Sequence, residues 1–305
     1  MALKLLDTLL QGLTKQIFAD NGIGRSLGLA VRLSVLVLFF FPFLLATLQI
    51  HPQRIATKGT PADWGVSYEE VLVESRGRTL RGWHCTHADS KSAVFVAHGL
   101  NANRENFMEP VRLLHDLGHS VLIIDFPAHG NSPGRSTTLG LLEADDVRAA
   151  HDWLVEQHPK KPIHALGYSM GASAVLTAAG KHQIFDRVIV DATFSTVRRV
   201  ADQVVLRHLG PLRSPIWAVG RQTIVAWTGA DLDTHRPIDH IVNIPPEKLL
   251  IIHGTADKII PFEEGVALHK ATGNKAKFIQ VDDYGHAETI SHPAYAQWLD
   301  EFLKP

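Results

Sequence analysis

Apolar residues are spread unevenly along the chain, and their pattern divides it into two parts. An uncharged run covers Leu33–Ile50, which at about 1.5 Å per residue is just long enough to cross a bilayer as a helix. After this run, short apolar segments alternate with longer stretches of helical periodicity. The pattern therefore predicts an N-terminal transmembrane helix followed by one α/β domain.

The predicted anchor covers residues 27–50, because the long side chain of Arg32 lets the helix start before the uncharged run. A cleaved signal peptide is one alternative, but about thirty residues precede the apolar core and no A-x-A pattern follows Phe43. A buried core helix is the other, but such a helix rarely carries three consecutive phenylalanines and no charge. The pattern favours an uncleaved anchor.

Residues 1–26 form a separate N-terminal segment with apolar side chains at helical spacing, namely Leu6, Leu9, Leu10, Leu13 and Ile17. Such an amphipathic segment either lies on a membrane surface or packs on protein, and both alternatives stay open. Basic residues near the span number three before it and two after it: Lys15, Arg25 and Arg32 against Arg54 and Lys58. This difference weakly favours a cytoplasmic N-terminus and a non-cytoplasmic domain.

Residues 51–305 are numerous enough for one α/β domain. Apolar runs predict strands over Val71–Glu74, Thr79–Cys85, Ala93–Ala97, Val121–Asp125, Ile163–Gly167, Val188–Asp191, Leu249–Ile252 and Phe278–Val281. Helical periodicity predicts helices over Asn106–Leu117, Thr138–Gln157, Ser173–Gly180 and Ala294–Leu303. This alternation is typical of a mostly parallel central sheet with helices on both faces. A turn signal between the first two strands predicts an antiparallel hairpin at one edge.

The most informative motif is a G-x-S-x-G sequence that follows the predicted strand Ile163–Gly167 and precedes a small-residue helix. In this arrangement the serine sits on a sharp strand-to-helix turn, and the two glycines, Gly167 and Gly171, make room for the close crossing. The turn exposes the hydroxyl and points the helix N-terminus at developing negative charge. The spacing therefore indicates Ser169 as a nucleophile.

A serine nucleophile needs a base and an acid that orients the base, and in this class of sheet they follow in the order serine, acid, histidine. Asp257 follows a strand and a glycine turn, and His286 lies in the loop after the last strand. Asp282 and Asp283 compete for the role of acid, but they share a loop with the base. A carboxylate at the end of a neighbouring strand suits the geometry better, which favours Asp257.

An oxyanion hole needs two backbone N–H groups. One is expected from Met170, the residue after the nucleophile, and the other from the loop that follows an earlier strand. His98-Gly99-Leu100 follows the strand Ala93–Ala97, and we expect Leu100 to be the second donor.

Together these motifs resemble the α/β-hydrolase superfamily of serine hydrolases over about Tyr68 to Phe302, nearly the whole domain. His98-Gly99-Leu100 is similar to the HG oxyanion loop of that family. The segment from Asp125 to Ser132 is similar to its D-x-R-G-H-G-x-S loop, with Pro127-Ala128 in place of the usual Arg-Gly. The loops at Asp257 and His286 match its acid and base loops.

The resemblance implies an α/β-hydrolase fold and a metal-free triad. Ser169 would be the nucleophile, His286 the general base and then acid, and Asp257 the residue that holds the imidazole. Leu100 and Met170 would donate their backbone N–H groups to the oxyanion. In this family the usual place for a cap corresponds to residues 193–244. This segment is apolar, and helices are predicted in it over Val197–Leu209 and Ile216–Trp227. We therefore expect a small helical cap over an acyl site, with a pair of helices packed on the sheet as the alternative.

Composition adds exclusions. The chain has 30 basic and 31 acidic residues, which excludes a strongly basic nucleic-acid-binding protein. Its single cysteine, Cys85, excludes an intrachain disulfide and a cysteine-rich zinc site, and we expect neither a metal nor a cofactor.

The expected function is hydrolysis of carboxylic esters, including lipid or acyl esters, by a membrane-bound serine hydrolase. The triad does not separate this activity from that of a peptidase or amidase of the same fold, which is one alternative. A non-catalytic binding module is another, since a fold does not determine function, although the complete triad argues against it.

Overall fold

The computed structural model describes residues 22–304 and, before them, residues 8, 11 and 12. Most of the predicted amphipathic segment, residues 1–26, lies outside the described residues. The strands in the described part are β1 (Glu69–Ser75), β2 (Arg78–Cys85), β3 (Ala93–Ala97), β4 (Ser120–Ile124), β5 (Ile163–Tyr168), β6 (Arg187–Asp191), β7 (Leu249–Gly254) and β8 (Lys277–Val281).

Within the described residues these strands form one eight-stranded sheet in the order β1-β2-β4-β3-β5-β6-β7-β8. Strand β2 pairs antiparallel with β1 and with β4, and all later neighbours are parallel. The predicted hairpin is confirmed: Arg76 and Gly77 connect β1 to β2, and both take a positive φ, as tight two-residue hairpin loops require. The predicted mostly parallel sheet is therefore confirmed as well.

The α-helices of the described part are α1 (Gly22–Val35), α2 (Phe41–Ile50), α3 (Met108–Asp116), α4 (Glu143–Gln157), α5 (Met170–His182), α6 (Val197–Val200), α7 (Arg213–Thr228), α8 (Pro237–Ile241), α9 (Phe262–Ala271) and α10 (Tyr295–Leu303). A π-helical segment, Leu36–Phe40, joins α1 to α2, so the helix continues from 22 to 50. Short 3₁₀ turns cover Pro61–Trp64, Arg104–Phe107, Gly210–Leu212, Leu232–Thr234, Pro246–Lys248 and Glu288–Ser291.

The sheet carries a hydrophobic core on each face. Strand β3 shows how alternation divides its buried residues: Phe95 packs with α4 and α5 on one face, whereas Val94 and Val96 pack with α3 and α10 on the other. All five residues of β3 are buried, as expected for a central parallel strand. Both faces are therefore covered by helices, and the sheet edge at the carboxyl ends of the strands is left for loops.

Helix α4 begins at Glu143 rather than at the predicted Thr138. The backbone N–H groups of Thr138 and Gly140 each donate to the Glu143 carboxylate at 2.9 Å, and Gly140 has a φ of 106°. A positive φ is incompatible with a right-handed helix, so this segment is a loop held by the first residue of the helix.

Two other predicted helices on the sheet begin at different residues. The one predicted over Asn106–Leu117 starts with the 3₁₀ turn Arg104–Phe107, in which the Asn103 side chain accepts the N–H of Asn106, and becomes α-helical at Met108. Helix α5 is longer than the predicted Ser173–Gly180, because it begins directly after Ser169.

The segment between β6 and β7 also differs in detail from its prediction. The first helix is α6 followed by a π-helical segment, Ala201–Val205, and it ends before the predicted Leu209. Helix α7 starts at Arg213, so Pro215 lies inside its first turn instead of before it. Proline is tolerated there because N–H groups of the first turn have no partner within the helix.

Asp146, on α4, is a buried carboxyl group with an unusual proton affinity. Its Oδ1 accepts a hydrogen bond from Ser75 Oγ (2.5 Å), whereas Oδ2 has no hydrogen-bond partner among the described residues. Burial raises the pKa of Asp146 from 3.8 to about 7. The folded protein therefore holds this proton more tightly than the unfolded chain does. The stability that the bound proton contributes is lost as the pH rises from about 4 to about 7.

We expect Asp146→Asn to abolish this loss of stability at higher pH. The amide oxygen can still accept the hydrogen bond from Ser75, and the amide never ionises. The melting temperature of the variant should exceed that of the wild type by roughly 3 °C or more at pH 8 and by much less at pH 4. Thermal unfolding at both pH values measures the effect. An equal change in melting temperature at both pH values would contradict it.

Candidate active site

Ser169 lies at the turn between β5 and α5, with φ 52° and ψ −117°. Its N–H donates to Asp191 O at 2.9 Å, which ties the turn to the neighbouring strand β6. A Cβ on Gly167 would lie 2.5 Å from Ala172 Cα, and one on Gly171 would collide with the backbone carbonyl oxygens of Ala97, the last residue of β3, and of His98. The two glycines therefore permit the close crossing that the sequence motif predicts, and they leave the serine in a strained, protruding conformation.

The structure brings Ser169 together with the two other side chains predicted for the site. His286 Nε2 is 3.0 Å from Ser169 Oγ, and His286 Nδ1 is 2.7 Å from Asp257 Oδ2. The three side chains follow β5, β8 and β7, at the carboxyl edge of the sheet. The Asp257 carboxylate is inaccessible to solvent, whereas the imidazole is partly exposed. This geometry connects the hydroxyl to a buried carboxylate through one imidazole.

The orientation of Asp257 is fixed by its own loop. Its Oδ1 accepts the backbone N–H groups of Ile259 and Ile260, each at 2.8 Å, so Oδ2 is left to face His286. The two competing acids, Asp282 and Asp283, are exposed and do not contact the imidazole: Asp282 Oδ1 accepts from a glutamine of the same strand end.

The loop after β3 approaches the nucleophile closely. A Cβ on Gly99 would lie 3.4 Å from Ser169 Cβ, which is van der Waals contact. His98 supports this loop, since its Nδ1–H donates to Gly99 O (2.8 Å) and its Nε2 accepts from Phe126 N–H (3.0 Å). Burial lowers the pKa of His98 to about 4, so the ring is neutral at physiological pH and its role is structural.

Leu100 and Met170 both line the cavity that contains Ser169 and His286. Met170 is the first residue of α5, and N–H groups of a first helical turn have no partner within the helix. The positive end of the helix macrodipole adds to the local potential. Both predicted oxyanion donors therefore lie beside the candidate nucleophile.

Asp191, a buried acid at the end of β6 that is next to the turn at Ser169, was not identified from the sequence. Its Oδ2 accepts hydrogen bonds from Thr289 Oγ1 (2.5 Å) and Tyr295 OH (3.3 Å), and Tyr168 OH lies 2.7 Å from that tyrosine hydroxyl. Burial raises the pKa of Asp191 to about 7. The residue connects the nucleophile turn to the segment that follows His286. Its place as the last residue of an apolar strand is the one sequence signal that pointed to it.

A cavity of about 370 Å³ opens beside Ser169 and His286. Its walls are mostly apolar and come from the segment between β6 and β7, from the loops after β3 and β7, and from helix α2. Among the described residues no Asp, Glu, Lys or Arg lines it, and no group of three or more His, Cys, Asp or Glu is arranged to hold a metal ion. The site can thus present a nucleophile and a base to an apolar substrate.

Comparisons with known proteins agree with this architecture. A family model described as alpha/beta hydrolase fold matches residues 92–210, and one described as TAP-like protein matches residues 214–305. The uncharacterized protein Rv2307c of Mycobacterium tuberculosis is 30% identical over 222 residues, which are 71% of this chain and 72% of that protein. The uncharacterized protein YqkD of Bacillus subtilis is 27% identical over 241 residues, which are 76% of this chain and 78% of that protein.

Among solved structures, the Pyrococcus furiosus esterase Pf2001 superimposes with a TM-score of 0.68 at 24% identity, covering 83% of this chain and 98% of that one. At this identity the likeness is one of fold. The two family models and the Mycobacterium relative show the family of the chain as well, and the predicted fold is confirmed. The chain belongs to the α/β-hydrolase superfamily.

Proposed function

We propose that this protein is a serine hydrolase that cleaves carboxylic esters through an acyl-enzyme on Ser169. The observation that carries the proposal is the unbroken contact from Ser169 Oγ to His286 (3.0 Å) and on to Asp257 (2.7 Å). A serine hydroxyl is a weak nucleophile unless a base removes its proton, and this chain of contacts supplies that base.

In the proposed reaction Ser169 Oγ attacks the ester carbonyl carbon while its proton passes to His286 Nε2. The carbonyl oxygen becomes an oxyanion, which the backbone N–H groups of Leu100 and Met170 stabilise. As the tetrahedral intermediate collapses, the imidazolium gives its proton to the departing alkoxide and the acyl-enzyme remains. Water then attacks the acyl carbon and loses a proton to His286, and the imidazolium returns that proton to Ser169 Oγ as the bond to the acyl carbon breaks and the carboxylic acid leaves. Asp257 holds the imidazole and stabilises its charged form.

The walls of the cavity favour an ester with an apolar acyl group over a peptide. A peptidase that recognises a free terminus needs a charged or strongly polar partner for it, and among the described residues the cavity has no acidic or basic side chain besides His286. An apolar acyl chain needs no such partner and gains free energy from leaving water.

We also propose that the protein is bound to a membrane through residues 27–50, with residues 51–305 as its catalytic domain on the non-cytoplasmic side and 193–244 as its cap. One helix of the described chain, Ser26–Ile50, is long and apolar enough to cross a bilayer by length and composition. Large apolar side chains on it, such as Phe39 and Leu48, are more than half exposed, which supports lipid contact for these side chains, whereas Ala46 and Ile50 near its end are buried against the domain.

A fluorophosphonate probe tests the nucleophile. We expect the wild type to be labelled once, on the tryptic peptide that contains Ser169, because only an activated serine reacts rapidly.

A panel of p-nitrophenyl esters beside aminoacyl amide substrates then tests the reaction class, and turnover of the esters alone is expected. Absence of labelling, or a label on another residue, would refute the proposed mechanism, whereas turnover of the amides alone would replace the esterase by a peptidase.

A further inference from the structure

Helix α2 forms part of the wall of the cavity that contains Ser169 and His286. Its contributing residues are Pro42, Leu45, Ala46 and Gln49. Their spacing of three and four residues places them on one helical face. The N-terminal helix therefore lines the cavity that contains the candidate nucleophile.

The same face packs against cap helix α7. A Cβ on Gly220 would lie 3.8 Å from Ala46 Cβ and 3.8 Å from Pro42 O, so small residues let the two helices approach closely. Ala46 and Ile50 share an apolar cluster with Ile224 of α7 and are themselves buried. Helices α2 and α7 thus form a continuous wall on this side of the cavity.

The chain that leaves α2 is fastened to the loops of the active site. Ile50 O accepts from Thr137 N–H (2.8 Å), and Gln53 N–H donates to the side chain of Asn101 (3.0 Å), the residue after Leu100. The end of the helix is therefore held beside the proposed oxyanion loop.

Arg54 and Glu105 extend this attachment. The Arg54 guanidinium donates to the carbonyl oxygens of Ser132 (2.6 Å) and Gly134 (2.8 Å) in the loop after β4. The Glu105 carboxylate accepts the backbone N–H of Lys58 (2.7 Å). These bonds between distant parts of the sequence fix the position of α2 relative to Ser169.

From these contacts we infer that α2 is a specificity element of the active site. Its inner face limits the space for the acyl chain, and the substrate class is an ester with a long apolar acyl chain that lies between α2 and α7. This inference rests on the proposed function, because it assumes that the cavity binds the acyl group of an ester. Leu45 is half-buried on the inner face, so a change of its size alters the cavity directly.

The test compares Leu45→Trp with the wild type on p-nitrophenyl butyrate and p-nitrophenyl decanoate. The wild type should have the higher kcat/KM for decanoate, since each buried methylene adds binding free energy. The indole should occupy part of the space for the chain and lower the ratio of kcat/KM for decanoate to that for butyrate by roughly tenfold or more, as expected for steric changes in apolar pockets.

Leu44→Trp is the matched control, because Leu44 is the preceding residue, is exposed, and does not line the cavity. Its ratio should equal that of the wild type. An unchanged ratio in Leu45→Trp, or an equal fall in both variants, would overturn the inference.

If Leu45→Trp does not fold, Leu45→Ala decides the question, since the wider cavity should shift the preferred acyl length upwards, and an unshifted preference would overturn the inference. A wild type that labels with fluorophosphonate and cleaves esters, but with no preference for long chains, also contradicts the specificity role alone. A wild type that cleaves no ester contradicts the proposed function instead, and the inference fails with it.

Discussion

Replacing the nucleophile should abolish ester hydrolysis: we expect Ser169→Ala to lower kcat by at least roughly 10⁴-fold, as found when a triad serine is removed from other hydrolases. The change removes one oxygen and leaves the backbone of the turn as it is, so the folded structure should persist. Because His286 keeps its contact with Asp257, the base remains but has no hydroxyl to activate. Initial rates on p-nitrophenyl esters measure the effect, and circular dichroism and thermal unfolding check that the variant is folded.

Ser173→Ala provides the matched control for this variant. Ser173 is one turn further along α5; its hydroxyl donates to the backbone oxygen of Met170 at 2.8 Å and lies 3.2 Å from His235 Nε2, and it does not contact His286. Its removal should cost about 1–3 kcal/mol of stability, because the buried His235 ring loses a partner, and leave kcat within a few-fold of the wild type. The nucleophile assignment would be wrong if Ser169→Ala retained a tenth of the wild-type rate, or if both variants lost activity equally.

The mostly parallel sheet, its edge hairpin and the positions of Ser169, Asp257 and His286 were accessible from the sequence because each depends on local pattern. Buried parallel strands appear as short apolar runs, and the candidate functional side chains lie at the end of one strand or in the loops that follow two others. The carboxyl ends of parallel strands meet at one edge of the sheet, so residues far apart in the chain come together there. The catalytic roles of these residues and of the two oxyanion donors stay predictions until the experiments above are done.

Features set by particular side-chain contacts and by unusual backbone conformations were not accessible. Periodicity continues through Thr138, and only the bonds from the loop to Glu143 stop the helix from starting there. Ala128, which stands where the resembled family has glycine, takes a φ of 68°, a conformation that an L side chain rarely adopts. The packing of α2 on α7 is likewise invisible, because an apolar helix that crosses a membrane and one that borders a cavity have the same composition.

The acid is the member of the triad for which the sequence offered competitors, and Asp257→Asn separates them. We expect this variant to lose roughly 10⁴-fold in kcat, the size of effect that an Asp-to-Asn change has in a serine protease triad. Because Ile259 and Ile260 donate to Oδ1, the amide oxygen of the asparagine should stay at that position, which turns its NH₂ group towards His286 Nδ1. The imidazole must then carry its proton on Nε2 and has no lone pair left for the proton of Ser169.

Asp282→Asn and Asp283→Asn are the controls for this prediction, since both carboxylates are exposed on the loop that precedes His286. Each should retain kcat within about twofold, as surface substitutions usually do. The fluorophosphonate labelling rate should fall in parallel with kcat in Asp257→Asn alone, because labelling also needs an activated serine. If Asp257→Asn kept a tenth of the wild-type kcat while one of the two controls lost activity, the acid would lie on the histidine loop and the buried contact between Asp257 and His286 would be structural.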